Sequence, residues 1–460
     1  MFGLPTFLQA IFGFLLLIGP LVVLHELGHY LVARWLGVKS DVFSIGFGKE
    51  LLGWTDKRGT RWRLAAVPLG GYVQFAGDGN AVSQTDDNKI ADMSAEERGH
   101  AFATQKLWKR AAIVAAGPIA NLLVAVAIFA AFYLVVGRQV LPPEVTGYSA
   151  RSDAQAAGIR IGDKIIAVDG SRVDSVTEVL TKVVLYPGQT VSITVTRNGA
   201  AVDVPVKLSE QSMKDSSGSS QKYADLGLSY GLPVVGEVQS GSPAAKAGLQ
   251  AGDRILSIAG QPVVSYPDIQ KIVRAAPEKP LAVSLRRDGA VIATTVTPRA
   301  VEVRDGQGNT MRLGQMGITN VSVVKTGPIE AVTLAASNCW EIVRMQAIGL
   351  KQIVTGSRSV REMSGPIKMA QVSGEQLTQG WLSFVQFAAF ISINLAFINL
   401  LPIPTLDGGH LAFYAAEAVR RRPVDAKGQE WAFRTGLAFV LALMLFVTIN
   451  DIASLLPIGK

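Results

Sequence analysis

This chain of 460 residues has a single cysteine, Cys339, which excludes an intrachain disulfide and a cysteine-based structural zinc site. It has no zinc-finger spacing, no RNP-like run and no long basic tract, so its formal net charge of +8 makes no case for nucleic acid. Basic residues beside membrane segments account for that charge instead. Lysine and arginine are missing altogether before Arg34. The first apolar run therefore lacks the positive start of a secretory signal and is predicted to remain as a membrane span. Histidine is scarce too, with four in the chain, yet two of them stand one helical turn apart. Charged residues make up 17% beside 49% hydrophobic ones, and mean hydropathy is +0.30. That mixture implies membrane spans joined to a sizeable water-soluble part.

Residues 7–24 carry no charge and one clearly polar side chain, Gln9. A run of about 18 such residues is long enough to cross a bilayer. His25, Glu26 and His29 follow at once as HELGH, and the chain is apolar again to Leu36. On a helix, positions i and i+4 share a face, so both imidazoles can reach one Zn²⁺. Glu26 then stands where a general base for water would be needed. Soluble proteins carry chance HExxH matches, but ionisable groups at membrane depth are costly and mark function.

Three further apolar runs occupy residues 111–136, 381–404 and 436–449. The basic residues of loops 39–110 and 417–434 place both loops in the cytoplasm, with both termini outside. Counting 1.5 Å per residue, His25 lies roughly 27 Å along a helix that starts near Phe7, closer to the cytoplasmic face. Ala115, Ala116, Gly117 and Ala120 suit close helix packing. Pro118 and Asn121 read as a kink and a polar contact near the metal site. Residues 41–47, 61–67 and 68–75 read as three strands around a polar turn, and 77–99 as a polar, mobile loop.

Residues 138–325 are different in kind, with many charges, glycine turns and alternating strands. AAGIRIGDKIIAVDG (156–170) recurs as KAGLQAGDRILSIAG (246–260), a period of about 90 residues that fits two small domains. The Gly-Asp turn before an apolar strand resembles the PDZ pattern, which implies binding of extended peptides at a sheet edge. QSMKDSSGSS (211–220) reads as a linker. Residues 331–354 are too often interrupted by charge to span, so an interfacial amphipathic helix is expected there.

A catalytic zinc keeps three protein ligands, and HELGH supplies two. Asp407 and His410, in TLDGGH after the third run, lie at matching depth, and spacing does not choose between them.

HELGH in the first span, LDGGH after NLLPIP, and the PDZ-like repeat between them resemble the site-2 protease family of intramembrane zinc metalloproteases. The resemblance covers nearly the whole chain. It implies a polytopic α-helical membrane protein of four transmembrane helices. A membrane-associated β-hairpin follows the first, and two α/β PDZ-like domains are inserted between the second and third spans. The expected divisions are 1–37 for the first transmembrane helix, 38–109 for the loop with its re-entrant hairpin, and 110–137 for the second helix. Residues 138–225 and 226–325 then form the PDZ-like domains, and 326–380 the amphipathic periplasmic helices. The third transmembrane helix takes 381–413, a cytoplasmic loop 414–434, and the fourth helix 435–460.

By the same resemblance Asp407, with His25 and His29, ligates Zn²⁺, and His410 does not. Glu26 is the catalytic residue, and Asn394, Asn399, Pro402 and Pro404 hold substrate. The implied substrates are single-pass membrane proteins such as anti-sigma factors, already cut once outside, together with leftover signal peptides. The implied setting is the lipid of a bacterial inner membrane, with no nucleic acid. Phe102-Ala103 departs from the family's usual Phe-Asn. Two rival classes are a non-catalytic scaffold, against which intact HELGH and LDG argue, and a zinc transporter. The second and fourth runs carry too few polar residues for a transporter.

Overall fold

The computed structural model describes residues 6–78, 87–149, 151–214, 220–304, 310–356, 360, 365–422 and 426–455. The chain divides into two compact units, Met1–Phe132 with Gly327–Lys460, and Tyr133–Thr326.

Among the described residues, four helices are long and apolar enough to cross a membrane. They run Thr6–Trp35, Leu107–Val136, Trp381–Asn399 and Ala426–Leu455. Their surfaces support that reading. The fourth leaves Leu437, Leu441, Met444, Leu445 and Ile449 more than half exposed. Such a patch is a liability in water and the ordinary outer face of a helix in lipid.

The third span is shorter than the predicted 381–413. Its helix stops at Asn399, and Asp407 opens a separate helix, Asp407–Arg420. Pro402 and Pro404 explain the break, because neither can donate the helical hydrogen bond. Two more helices precede this span, Pro328–Val354 and Pro366–Gln379. The second is capped across space by Asp451 of the fourth span, which accepts from the Gly365 and Lys368 amides at 2.9 and 3.0 Å.

Between the first two spans lie two long strands, Ser40–Thr55 and Arg61–Phe75, rather than three. Each bends midway, so that residues 42–45 pair with both 71–74 and 61–64, and 61–65 pair again with 50–55. One hairpin thus makes a layer of four segments, in the order 50–55, 61–65, 42–45, 71–75. Gly46 and Gly70 adopt φ of +90° and +121° at the bends, which side chains with a Cβ resist. The polar loop expected at 77–99 contains two short helices, Asp87–Asp92 and Ala95–His100, the latter closed by a Ser94/Glu97 capping box. Residues 79–86 lie outside the described residues.

The second unit carries the repeat. Two four-stranded sheets have matching order: Ser171–Arg172, Lys164–Val168, Thr190–Arg197, Ala200–Lys207, and Gln261–Pro262, Arg254–Ile258, Leu281–Arg287, Ala290–Val296. Each packs its own apolar core. The first core draws in Leu226 and Leu228, beyond residue 225, because the strand Leu228–Tyr230 pairs back onto Val145–Tyr148. The expected linker at 211–220 contributes two paired strands, Gln211–Lys214 and Ser220–Tyr223, with 215–219 outside the described residues.

The repeated Gly-Asp turn has a structural cause. Asp163 and Asp253 are buried and each meets an arginine, Arg197 or Arg287, at 2.6 Å. The same arginines donate to the Gly158 and Gly248 carbonyls at 2.8 Å. Burial by itself would raise the Asp253 carboxyl, but Arg287 holds it below its ordinary value. A lowered carboxyl contributes stability above about pH 4, lost as pH falls through the lowered value. Arg287→Met is therefore expected to speed amide exchange across Arg254–Ile258 at pH 7, measured by mass spectrometry. The gap from the unsubstituted protein should narrow below about pH 4.

Candidate metal centre

The first helix presents His25 and His29 from successive turns, with ring centroids 4.9 Å apart. Both are buried, at 8% exposure each. The second span crosses here at very close range. A Cβ on Gly28 would strike the Ala116 carbonyl, and one on Gly117 would strike the His29 imidazole. The small residues of the second span are therefore what allow a helix backbone to lie against two histidine rings.

Asp407 comes from the other side. After Asn399 the chain turns tightly, with Leu406 N–H donating to the Ile403 carbonyl at 2.9 Å. A Cβ on Gly408 or Gly409 would run into the Leu400 or Ile403 carbonyls of that turn. The two glycines let the new helix start directly against the turn and bring Asp407 inward. Its Oδ2 lies 3.2 Å from His25 Nε2 and 3.6 Å from His29 Nε2. That oxygen is buried and has no satisfying hydrogen bond.

Among the described residues, His25, His29 and Asp407 form the one group able to hold a metal ion, with ligand atoms within 4.8 Å of one another. Two imidazole nitrogens and a carboxylate oxygen, one of them otherwise orphaned, fit the donor set of a catalytic zinc. His29 Nδ1 donates to the Ile113 carbonyl at 2.8 Å, which leaves its Nε2 lone pair facing the cluster.

A cavity of about 280 Å³ opens on the group, lined by Glu26, Gly71, Tyr72, Asn121, Asn399 and Thr405 among others. The edge segment 71–75 of the β-layer forms one wall. The Val73 main chain lies beside the Glu26 carboxylate, and a Cβ on Gly71 would sit 3.2 Å from Glu26 Cγ.

The other residues singled out from sequence are distributed unevenly. His410 lines the cavity but packs its ring 5.0 Å from that of Phe433 and is not among the converging three. Asn399 lines the cavity, whereas Asn394 does not, and its Oδ1 accepts from Gln346 Nε2 at 2.6 Å. Pro402 and Pro404 lie in the turn, where Pro404 packs against Gly436 of the fourth span. Sequence reasoning missed the contacts of Gly28 and Gly117, whereas Asn121 is the polar contact beside the site that it expected. Asn121 is fully buried, with its amide Nδ2 3.2 Å from His25 Nδ1. Its one sequence signal was the single carboxamide in the apolar run 111–136.

A sequence model for peptidase family M50 matches residues 13–443. A protein of Rhizobium meliloti that bears the name of a zinc metalloprotease is 38% identical over 95% of each chain. Its similarly named counterpart in Agrobacterium fabrum is 36% identical over 96% of this chain and 95% of its own. The regulator of sigma-E protease of Escherichia coli is 34% identical over 98% of this chain and 100% of its own. A solved PDZ domain from an SdrC-like protein of Listeria monocytogenes aligns with 20% of this chain and 88% of its own, at 22% identity and a TM-score of 0.16.

Proposed function

The chain belongs to peptidase family M50, the site-2 proteases, and from that premise we propose that His25, His29 and Asp407 hold its zinc while Glu26 acts as general base. Membership makes the protein a zinc metalloprotease. The observation that carries the residue assignment is the convergence of three ligand atoms on one buried point at the floor of the cavity.

When bound, zinc supplies Lewis acidity, making water nucleophilic near neutral pH and polarising a carbonyl. The Glu26 carboxylate lines the same cavity, takes the water's proton and returns it to the leaving amine. A transmembrane substrate hides its carbonyls in helical hydrogen bonds, so it must unwind before attack. The cavity-side edge of the β-layer, residues 71–75, holds the unwound segment as an added strand. Asn399 bonds the freed backbone from the third span, and Asn394 does so once its contact with Gln346 opens.

The substrates are single-pass membrane proteins such as anti-sigma factors, cut first on the outside, and signal-peptide remnants. The name of the Escherichia coli relative supports the first of these. The repeated lobes of 138–225 and 226–325 lie in the periplasm and screen substrates, and the site faces the cytoplasmic half of a bacterial inner membrane. The test is cleavage of a single-pass anti-sigma factor, trimmed of its outer domain, by detergent-solubilised protein. Cleavage should stop with 1,10-phenanthroline, return with added Zn²⁺, and give product masses that locate the cut inside the apolar span. A cut outside that span, or cleavage indifferent to chelation, would overturn the assignment.

A further inference from the structure

The two histidines differ in what stands behind them, and the difference points to Asn121. His29 Nδ1 faces the Ile113 main-chain carbonyl at 2.8 Å, an acceptor that cannot change role. His29 is therefore held with its proton on Nδ1 and its Nε2 lone pair inward. His25 Nδ1 faces Asn121 Nδ2 at 3.2 Å, a donor, so in this arrangement His25 accepts on Nδ1 and carries its proton on Nε2. That proton has a receiver, since His25 Nε2 lies 3.2 Å from His29 Nε2. The hydrogen bonds thus run in one direction, from Asn121 through His25 and His29 to the Ile113 carbonyl. This arrangement pairs both rings without a metal, leaves Asp407 Oδ2 unpaired beside them, and blocks His25 Nε2 from acting as a ligand.

Two atoms near this chain are left over, Asp407 Oδ2 on the metal side and one on Asn121 itself. Asn121 Oδ1 is buried with no hydrogen-bond partner. The main-chain carbonyl of Asn121 is anchored separately, accepting from Ser392 Oγ at 2.8 Å, so its backbone is tied while its amide can turn. Turning the amide about its last torsion exchanges Nδ2 and Oδ1 and places an acceptor at His25 Nδ1.

We propose that Asn121 is a two-way positioning residue for His25. With Nδ2 towards the ring it stabilises the metal-free pair of histidines; with Oδ1 towards the ring it holds the tautomer that ligates zinc. The proton balance closes. His25 stays neutral, its proton leaves Nε2 and one is taken up at Nδ1, with no net release from this residue. A buried carboxylate in place of the amide could serve only the second state, and an apolar side chain neither. The inference rests on His25, His29 and Asp407 being the zinc ligands.

The experiment is zinc binding to the full-length protein in detergent, by competition with a chromophoric chelator, together with ¹⁵N NMR of labelled histidine. In the unsubstituted protein, adding Zn²⁺ should move the protonated nitrogen of His25 from Nε2 to Nδ1 and leave His29 unchanged. Asn121→Leu should weaken zinc about 10–100-fold, while Asn121→Asp should bind zinc at least as tightly as the unsubstituted protein. A role in packing alone predicts the reverse order, with the isosteric leucine tolerated and the buried charge damaging. His25 protonated on Nδ1 both with and without zinc would overturn the switch, and that measurement needs no variant to fold. Failure of the unsubstituted protein to bind zinc at all would instead refute the ligand assignment on which the inference rests.

Discussion

Glu26→Gln is expected to lower cleavage of a transmembrane substrate by about 10²–10⁴-fold while leaving zinc bound. The substitution keeps the volume of the side chain and removes its capacity to accept a proton. Glu26 is not among the three converging ligand atoms, so metal content should stay near that of the unsubstituted protein. It does line the cavity, beside the Val73 main chain at the edge of the β-layer. In the proposed mechanism a proton acceptor in that place would face both the attacking water and the backbone of a substrate strand. The measurement is a pair of assays on one preparation: metal content by mass spectrometry, and turnover of a purified single-pass substrate. Retained turnover would remove Glu26 from the chemistry. Lost turnover with lost zinc would give it a structural role instead. The inactive protein should also retain uncleaved membrane proteins, which makes it a trap for the physiological substrate.

Gly117→Ala is expected to be nearly as damaging, although it adds one methyl group and touches no substrate. Its Cβ would occupy the space of the His29 imidazole and press on His25, because the second span lies directly against both rings. Overpacking of this kind costs about 1–3 kcal/mol, which a protein of this size absorbs without unfolding. The rings give way more readily than two crossed helix backbones, so the damage falls on the metal. Displacement of a catalytic group by about 1 Å costs on the order of 10²-fold in rate, and zinc affinity should fall with it. Size-exclusion chromatography, metal content and turnover together separate this outcome from misfolding. Unchanged zinc affinity in a folded Gly117→Ala protein would show that the two helices separate to accommodate the methyl.

Legibility in the sequence followed the range of the interactions. The i, i+4 spacing of His25 and His29 is local, and the helix that carries it needs nothing from the rest of the chain to put both rings on one side. The four apolar runs are equally local, since length and lack of charge are properties of a segment. The recurrence of the Gly-Asp turn was visible for the same reason. Its arginine partner was not, because Arg197 and Arg287 are brought to Asp163 and Asp253 by strand pairing. Asp407 was an intermediate case. Spacing left it level with His410, and family resemblance preferred it. The distances decide the geometry, because the tight turn after Asn399 points Asp407 inward while His410 packs on Phe433.

The sequence by itself determined which segments are long and apolar enough to cross a membrane, that one of them carries two histidines one turn apart beside a carboxylate, and that a repeated, charge-rich unit interrupts them. Each follows from hydrophobicity and helical periodicity along a single stretch. The tertiary structure alone decided that the hairpin doubles into a four-segment layer with one edge on the cavity, and that the third span breaks so that Asp407 can turn inward. It also decided that a glycine and an asparagine of the second span lie against the histidine rings. These depend on how closely two backbones approach and which buried polar groups find partners. Both are settled by packing between segments far apart in the chain. HELGH points to a metal; the helix that crosses it at Gly117 and Asn121 sets the space and the polar partner beside the two imidazoles.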